Sequence, residues 1–274
     1  MSDSDSARTD DDVRRPQGFD GIVARLRAAG CVFAEDEATL ILEAAGDDHG
    51  TRERLVSARV AGTPLEHALG WAEFSGLRVT VGPGVFVPRR RTELLVRSAR
   101  ELARPGAVVL DLCCGSGAVA AALAAGGGKE AEPLEVWASD IDPNAVRSAR
   151  ANLGDERVLE GDLYGALPDT LRGRIDLIVV NAPYVPTEAI ATMPPEARLY
   201  EAPIALDGGD DGLDVQRRVI AEASEWLAAG GRLLIETSEL QAPETTALFE
   251  AAGFEAETLR DDEIDATVVS GVLR

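Results

Sequence analysis

Asn181-Ala182-Pro183-Tyr184 is the stretch of this chain best equipped for chemistry. It follows Ile175-Asp176-Leu177-Ile178-Val179-Val180, an apolar run with the length and β-branched character of a buried parallel strand. A carboxamide and an aromatic ring therefore stand at the carboxyl end of a strand, where open α/β sheets bind ligands. The Asn181 side-chain oxygen can accept one N–H of a planar amino group, and the Ala182 carbonyl can accept the other. The Tyr184 ring can stack on the flat group so held. Asn181 and Tyr184 are thus the candidate catalytic pair, and Asn181, Ala182, Pro183 and Tyr184 the candidate substrate clamp. Two acceptors around one NH2 suit methylation of an amide nitrogen or of an exocyclic base nitrogen.

A second set of residues lies upstream. Asp111-Leu112-Cys113-Cys114-Gly115-Ser116-Gly117 ends a strand, Val108 to Leu112, in a glycine turn before an Ala-rich helix. Glycines there let the backbone come close to a ligand. Asp140 ends the next strand, in Trp137-Ala138-Ser139-Asp140, where a carboxylate can take both hydroxyls of a ribose. Asp162 and Leu163, after the third strand, are placed to contact an adenine. The competing structural readings are a plain tight turn at Gly115 and Gly117 and a helix cap at Asp140 before Pro143. Cys113 and Cys114 are adjacent and lack metal-ligand spacing; with His49 and His67 the only histidines, no metal is expected. A dinucleotide site favours a third glycine where Ala120 stands. The strand order also ends in what reads as a hairpin. Both features fit a cofactor without phosphates, S-adenosyl-L-methionine.

The elements that must position these residues follow from periodicity. Strands and helices alternate from residue 107 on, which implies a parallel sheet covered by helices on both faces. The last two strands, Phe254 to Leu259 and Thr267 to Val272, read as an antiparallel hairpin. Upstream, residues 92–103 read as a helix, and 71–91 as a hairpin linker turning at Gly82-Pro83-Gly84. Residues 17–70 read as a bundle of short helices with faces Ile22/Val23/Leu26/Ala29, Leu40/Ile41/Ala44 and Leu55/Val56/Val60. That bundle either presents a substrate or serves as a packing appendage. Residues 1–16, with five Asp, read as a disordered acidic tail.

Composition narrows the function classes. The 274 residues carry a net charge of -21, which opposes unaided binding to phosphate backbones. No run approaches a membrane span, and the first thirty residues lack a secretory apolar segment. Three Cys, two of them adjacent, make no disulfide framework, so a reducing cytoplasm is expected. Arg89-Arg90-Arg91 is the one basic run; Arg89 and Glu93 read as structural, Arg90 and Arg91 as solvated.

Taken together, Asp111 to Gly117, Asn181 to Tyr184 and Phe86-Val87-Pro88-Arg89-Arg90-Arg91-Thr92-Glu93 resemble the HemK-type protein glutamine methyltransferases. Further matches are Pro64 to Gly70, Asp207-Gly208-Gly209-Asp210-Asp211-Gly212-Leu213 and Glu236. The resemblance spans roughly residues 20–274. It implies a seven-stranded class I methyltransferase domain, residues 92–274, and an N-terminal helical domain that helps hold the substrate. It also implies methylation of a Gln side-chain amide in the Gly-Gly-Gln loop of a peptide-chain release factor. From charge and composition no direct nucleic-acid or membrane partner is expected, and the chain is expected to be a monomer. By position, Asp111 and Cys113 to Gly117 would line the methionine part of the cofactor, Asp140 its ribose, Asp162 and Leu163 its adenine, and Asn181 would lie near its methyl. Three departures stand out: Ala182 replaces the family Pro, Glu201 is followed by Ala202 with Pro203 one place late, and Asp265-Ala266-Thr267 replaces an Arg near the last strand. Two rivals share these residues. One is an adenine-N6 nucleic-acid methylase that flips a base into the clamp. The other is a non-catalytic module that kept the cofactor pocket.

Overall fold

In a computed structural model of the chain, which describes residues 18–126 and 132–273, the segment after Gly18 forms four helices rather than three. They are α1 (Phe19–Ala28), α2 (Ala34–Ala45), α3 (His49–Val60) and a short α4 (Leu65–Leu69). The acidic tail expected over residues 1–16 lies outside the described residues. Ile22, Val23, Leu26, Ala38, Ile41, Val56 and Leu65 form one small core. The inner face of α2 runs through Ala45, not Ala44, because Ala45 follows Ile41 by one helical turn. Ala29 is exposed because α1 has ended and the chain turns at Gly30. These helices form one compact unit, and the chain from Gly70 onward forms another.

The second unit begins with a hairpin, β1 (Trp71–Phe74) and β2 (Leu77–Thr80), which turns at Ser75-Gly76 rather than at Gly82-Pro83-Gly84. Its apolar side chains Phe74 and Val79, with Val81, Val85 and Val87 beyond it, pack into the core of the large unit. That core includes residues of α5 (Glu93–Leu102), α6 (Ala118–Ala125) and α7 (Pro143–Leu153). Asn152 of α7 clips the strand end in both directions: Oδ1 accepts from the Thr80 amide at 2.8 Å and Nδ2 donates to its carbonyl at 3.0 Å.

Seven strands make the main sheet: β3 (Val108–Leu112), β4 (Glu135–Asp140), β5 (Val158–Glu160), β6 (Ile175–Val180), β7 (Leu227–Thr237), β8 (Phe254–Asp261) and β9 (Ala266–Leu273). Their order is β5-β4-β3-β6-β7-β9-β8, with β9 antiparallel to both of its neighbours and the other pairings parallel. Alternate residues split the core cleanly. Val109, Leu177, Val179 and Leu234 face α5, α6 and α7. Leu110, Ile178, Val180 and Leu233 face the other layer, with Tyr164, Trp226 and Phe249. That layer holds α9 (Asp214–Trp226) and α10 (Ala242–Ala251), while α8 (Pro195–Tyr200) lies in the long β6–β7 connection. The chain runs outward from β3 through β4 and β5, then returns to place β6 on the other side of β3. Such a reversal of strand order opens a crevice at the carboxyl ends of the strands.

Candidate active site

A cleft lies at that reversal point, lined by the loops after β3, β4, β5 and β6. At the end of β3, Asp111 is buried and its Oδ2 accepts from the Ala120 amide at 3.0 Å, capping α6. The turn that follows is left-handed at Cys113 (φ 61), Gly115 (φ 54) and Gly117 (φ 74). For Cys113 that conformation costs about 1–2 kcal/mol. Cys113, Cys114, Gly115 and Ser116 line the cleft. Gly117 does not: a Cβ there would sit 2.9 Å from Ala149 Cβ and from Leu153, so its glycine serves the packing of α7 against the turn. Burial holds both thiols above their ordinary pKa, so they are neutral small side chains.

The second strand end carries Asp140. Its Oδ2 accepts from the Gly115 amide at 2.8 Å and its Oδ1 from the Asp142 amide at 2.9 Å, which joins the loops after β3 and β4. Each oxygen keeps a second lone pair, enough for two ribose hydroxyls. Ile141, half exposed, and Leu163, in a left-handed conformation, line the cleft beside it. Asp162 is exposed, and its Oδ2 accepts from Arg218 at 2.7 Å. Asp111, Asp140 and Asp162 border the cleft together with Arg89, Arg91 and Arg218. These residues fit S-adenosyl-L-methionine: a double acceptor for the ribose, apolar Ile141 and Leu163 for the base, and open space in front of Gly115.

The third strand end holds Asn181, Ala182, Pro183 and Tyr184, all in the cleft wall. Asn181 Nδ2 donates to the Thr92 hydroxyl at 3.3 Å, so its Oδ1 is the atom left to face the cleft. Tyr184 is braced from behind, where its carbonyl accepts from Gln241 Nε2 at 3.0 Å. Gly212 permits that approach, since a Cβ there would lie 2.3 Å from the Tyr184 carbonyl oxygen. The other wall, Val85 to Thr92, is fixed by Glu201, a buried carboxylate. Glu201 accepts from Arg89 at 2.5 Å and from the Val87 amide at 3.2 Å. Glu93 accepts from the Ser75 amide at 3.3 Å.

Arg91 departs from expectation. Arg90 is exposed, but Arg91 lines the cleft, with its guanidinium 5.9 Å from the Tyr184 ring centre and 3.7 Å from Glu236. Its long apolar stem lets the charged head reach over the ring while the side chain stays 42% exposed. Sequence reasoning also gave no role to Thr92 or Ile141. Thr92 stood in a quoted motif, but its partner Asn181 is far away in the chain. Ile141 carries no signal beyond following Asp140.

Burial pushes the Asp111 carboxyl up to about 7 and the Glu236 carboxyl likewise to about 7, against the ordinary range near 4. A carboxyl raised by folding stabilises the protein fully below its unfolded pKa and loses that contribution as pH climbs through its folded value. The melting temperature of the cofactor-free protein is therefore expected to fall by several degrees from pH 5.5 to pH 8, read by calorimetry. Relief of the -21 net charge on acidification acts in the same direction. The Asp111→Asn, Glu236→Gln double variant isolates the two groups by flattening the slope. Glu53 and Asp211, held down near 2 by Arg25 and Arg217, lose their contributions only in more acidic solution. A wild-type melting temperature that rises across this interval contradicts the raised pKa of these two buried carboxyls.

The methyltransferase small domain family matches residues 76–209. The release factor glutamine methyltransferase of Geobacter sulfurreducens is 40% identical over 73% of this chain and 69% of its own length. That of Deinococcus radiodurans is 36% identical over 87% of this chain and 91% of its own. A Streptomyces pristinaespiralis 4-amino-L-phenylalanine/4-methylamino-L-phenylalanine methyltransferase is 36% identical over 72% of this chain and 69% of its own. Among solved structures, a Thermus thermophilus 16S rRNA N2 G1207 methyltransferase superposes with a TM-score of 0.55 at 22% identity, covering 74% of this chain and 50% of that one. That likeness shows the S-adenosyl-L-methionine-dependent methyltransferase fold alone. With the strand order, the Asn181–Tyr184 wall and relatives at this identity and coverage in agreement, the chain belongs to the release factor glutamine methyltransferase family.

Proposed function

We propose that this chain transfers a methyl group to the side-chain amide nitrogen of a glutamine in the Gly-Gly-Gln loop of a peptide-chain release factor. The observation that carries the reading is the orientation of Asn181, whose nitrogen is engaged by Thr92. Its oxygen and the Ala182 carbonyl, which has no hydrogen-bond donor among the described residues, are then two acceptors for one NH2 group. A Pro at position 182 would present the same carbonyl, so Ala182 leaves the acceptor in place and loses one rigid ring.

An amide nitrogen is a poor nucleophile because its lone pair is delocalised into the carbonyl. Asp140 would hold the ribose of S-adenosyl-L-methionine, Asp162 and Leu163 its adenine, and Asp111 with Cys113 to Ser116 its methionine part; the cofactor would supply an electrophilic methyl when bound. Asn181 and Ala182 fix both N–H bonds, which aims the nitrogen lone pair along the line of displacement. Positioning of this kind is worth roughly 7 kcal/mol or more in favourable cases. The same two acceptors stabilise the positive charge that grows on nitrogen, and one N–H proton leaves to solvent after the transfer, so no strong base need act first. Tyr184, its phenol pushed up to about 12 by burial, stays neutral and offers a ring face to the flat amide.

The S. pristinaespiralis relative favours a second reading, since an arylamine presents the same planar NH2 to the clamp. A nucleic-acid substrate is disfavoured by the net charge of -21. Among the described residues no helix is long and apolar enough to cross a membrane, and Cys31, Cys113 and Cys114 are free thiols. Incubation with labelled S-adenosyl-L-methionine and a release factor, followed by peptide mass spectrometry, tests the reading. The expected product carries one methyl on the Gln of the Gly-Gly-Gln loop. Parallel incubations with free 4-aminophenylalanine and with nucleic acid supply the alternatives: methyl on the arylamine and none on Gln assigns the arylamine reading, and methyl on adenine assigns the base-flipping rival.

A further inference from the structure

Behind the clamp lies a buried carboxylate that the chemistry above does not use. Glu236, near the end of β7, is 1% exposed and lies outside the cleft, yet Thr92, Tyr184 and Arg91 beside it all line the cleft. Neither of its carboxylate oxygens has a hydrogen-bond partner at ordinary distance. The Thr92 and Tyr184 hydroxyls are near enough to favour its charged form, and the Arg91 guanidinium stands at 3.7 Å. A buried carboxylate left this open demands an explanation.

The explanation lies in what one hydroxyl can do. Thr92 is itself 2% exposed and touches the Asn181 carboxamide. A hydroxyl has one proton to give and can also accept. If that proton is free, Thr92 can donate to Asn181 Oδ1, and the carboxamide turns its NH2 toward the cleft. There it would meet the substrate NH2 donor against donor. If an ionised carboxylate, an acceptor only, claims the Thr92 proton, Thr92 can only accept from Asn181. The nitrogen is then held inward and the oxygen faces out.

We propose that Glu236, acting through the Thr92 hydroxyl, sets the polarity of the Asn181 carboxamide so that its oxygen rather than its nitrogen faces the cleft. Thr92 and Glu236 are positioning residues; neither touches the reacting nitrogen. The proposal rests on the reading that Asn181 clamps an NH2 group, and it holds for an amide or an arylamine. The charged groups around the relay are few. Arg91 favours the ionised carboxylate, Arg89 and Asp265 act at longer range on Tyr184, and Tyr184 stays neutral. Burial pushes Glu236 up to about 7. Below that pH a protonated Glu236 becomes a donor itself and releases its claim on the Thr92 proton.

Three variants and two readouts test this. Thr92→Val, which deletes the hydroxyl at nearly constant shape, is expected to lower kcat about tenfold or more, with cofactor Kd and acceptor KM within about threefold. Thr92→Ser, which keeps the hydroxyl, should restore kcat to within about threefold of wild type. Wild-type kcat should rise with pH through about 7, and Glu236→Gln should remove that limb of the profile. In the substrate-free protein, the Asn181 side-chain amide resonance in 15N NMR should titrate over the same interval and stop doing so in Glu236→Gln. Equal losses in Thr92→Val and Thr92→Ser, or a pH limb unchanged in Glu236→Gln, overturn the relay. Should Thr92→Val fail to fold, Glu236→Gln and the NMR titration decide. The NMR signal needs no substrate, so a wild-type protein that shows it but never methylates Gln supports the relay while retiring the substrate assignment.

Discussion

Asn181→Ala is expected to lower the methylation rate at saturating substrate by at least about a hundredfold, the usual consequence of deleting a preorganised transition-state acceptor. Its cost to the fold should be small. The one side-chain hydrogen bond lost is the contact with Thr92 at 3.3 Å, worth about 1 kcal/mol. Cofactor affinity should stay within a few-fold, because Asp140 and the Cys113–Ser116 turn do not depend on the Asn181 side chain. Asn181→Asp is the sharper companion. It keeps an acceptor toward the cleft but removes the donor to Thr92 and adds a charge to a site already bordered by Asp111 and Asp140. Substrate binding should survive in part while turnover remains low. Single-turnover kinetics with the release factor, paired with calorimetric titration of cofactor, separate these effects. An Asn181→Ala protein that turns over at near wild-type rate would mean that the clamp is built elsewhere.

The strand ends were legible in the chain because period and polarity mark them. Val108 to Leu112 and Ile175 to Val180 are apolar runs that stop at a glycine turn and at Asn181, and the structure ends β3 and β6 at those places. Once parallel strands are inferred, Asp140 and Asn181 must share one edge of the sheet. What pattern could not reach is contact between residues distant in the chain. Asn181 meets Thr92, Glu201 meets Arg89, and Arg91 meets Glu236, each pair far apart in the chain. Nothing in the neighbourhood of Arg91 distinguishes it from the exposed Arg90, because its place is set by the Tyr184 ring it folds over. The same limit applies to the two glycines of the turn. Gly115 opens onto the cleft and Gly117 presses on Ala149, a difference that depends on where α7 packs. The hairpin at residues 71–80 read as a linker because four-residue strands cannot announce a core; Phe74 and Val79 have their partners in α5, α6 and α7.

Asp140→Ala is expected to weaken S-adenosyl-L-methionine binding by about 1–3 kcal/mol, roughly five- to more than a hundredfold in Kd. Two losses contribute. The ribose hydroxyls would lose their shared acceptor, and the Gly115 and Asp142 amides would lose the carboxylate that joins the loops after β3 and β4. Asp140→Asn separates the two. A carboxamide keeps one acceptor oxygen, so one of those amides stays satisfied, while its NH2 opposes the other amide and any hydroxyl proton. The negative charge that favours a cationic cofactor is gone as well. Burial already raises the Asp140 pKa, so the charged form is costly in the cofactor-free fold. Removing that charge should leave the melting temperature of the cofactor-free Asn variant close to wild type, or higher at pH 8. The thermal shift on adding cofactor should shrink in step with the weaker Kd. Calorimetric titration and thermal denaturation with and without cofactor supply both numbers. Unchanged affinity in both variants would remove Asp140 from the ribose site and leave it as a strut between two loops. Lost affinity in Asp140→Ala with near-normal affinity in Asp140→Asn would say that loop geometry, not charge or a second ribose acceptor, is what the cofactor reads at this strand end.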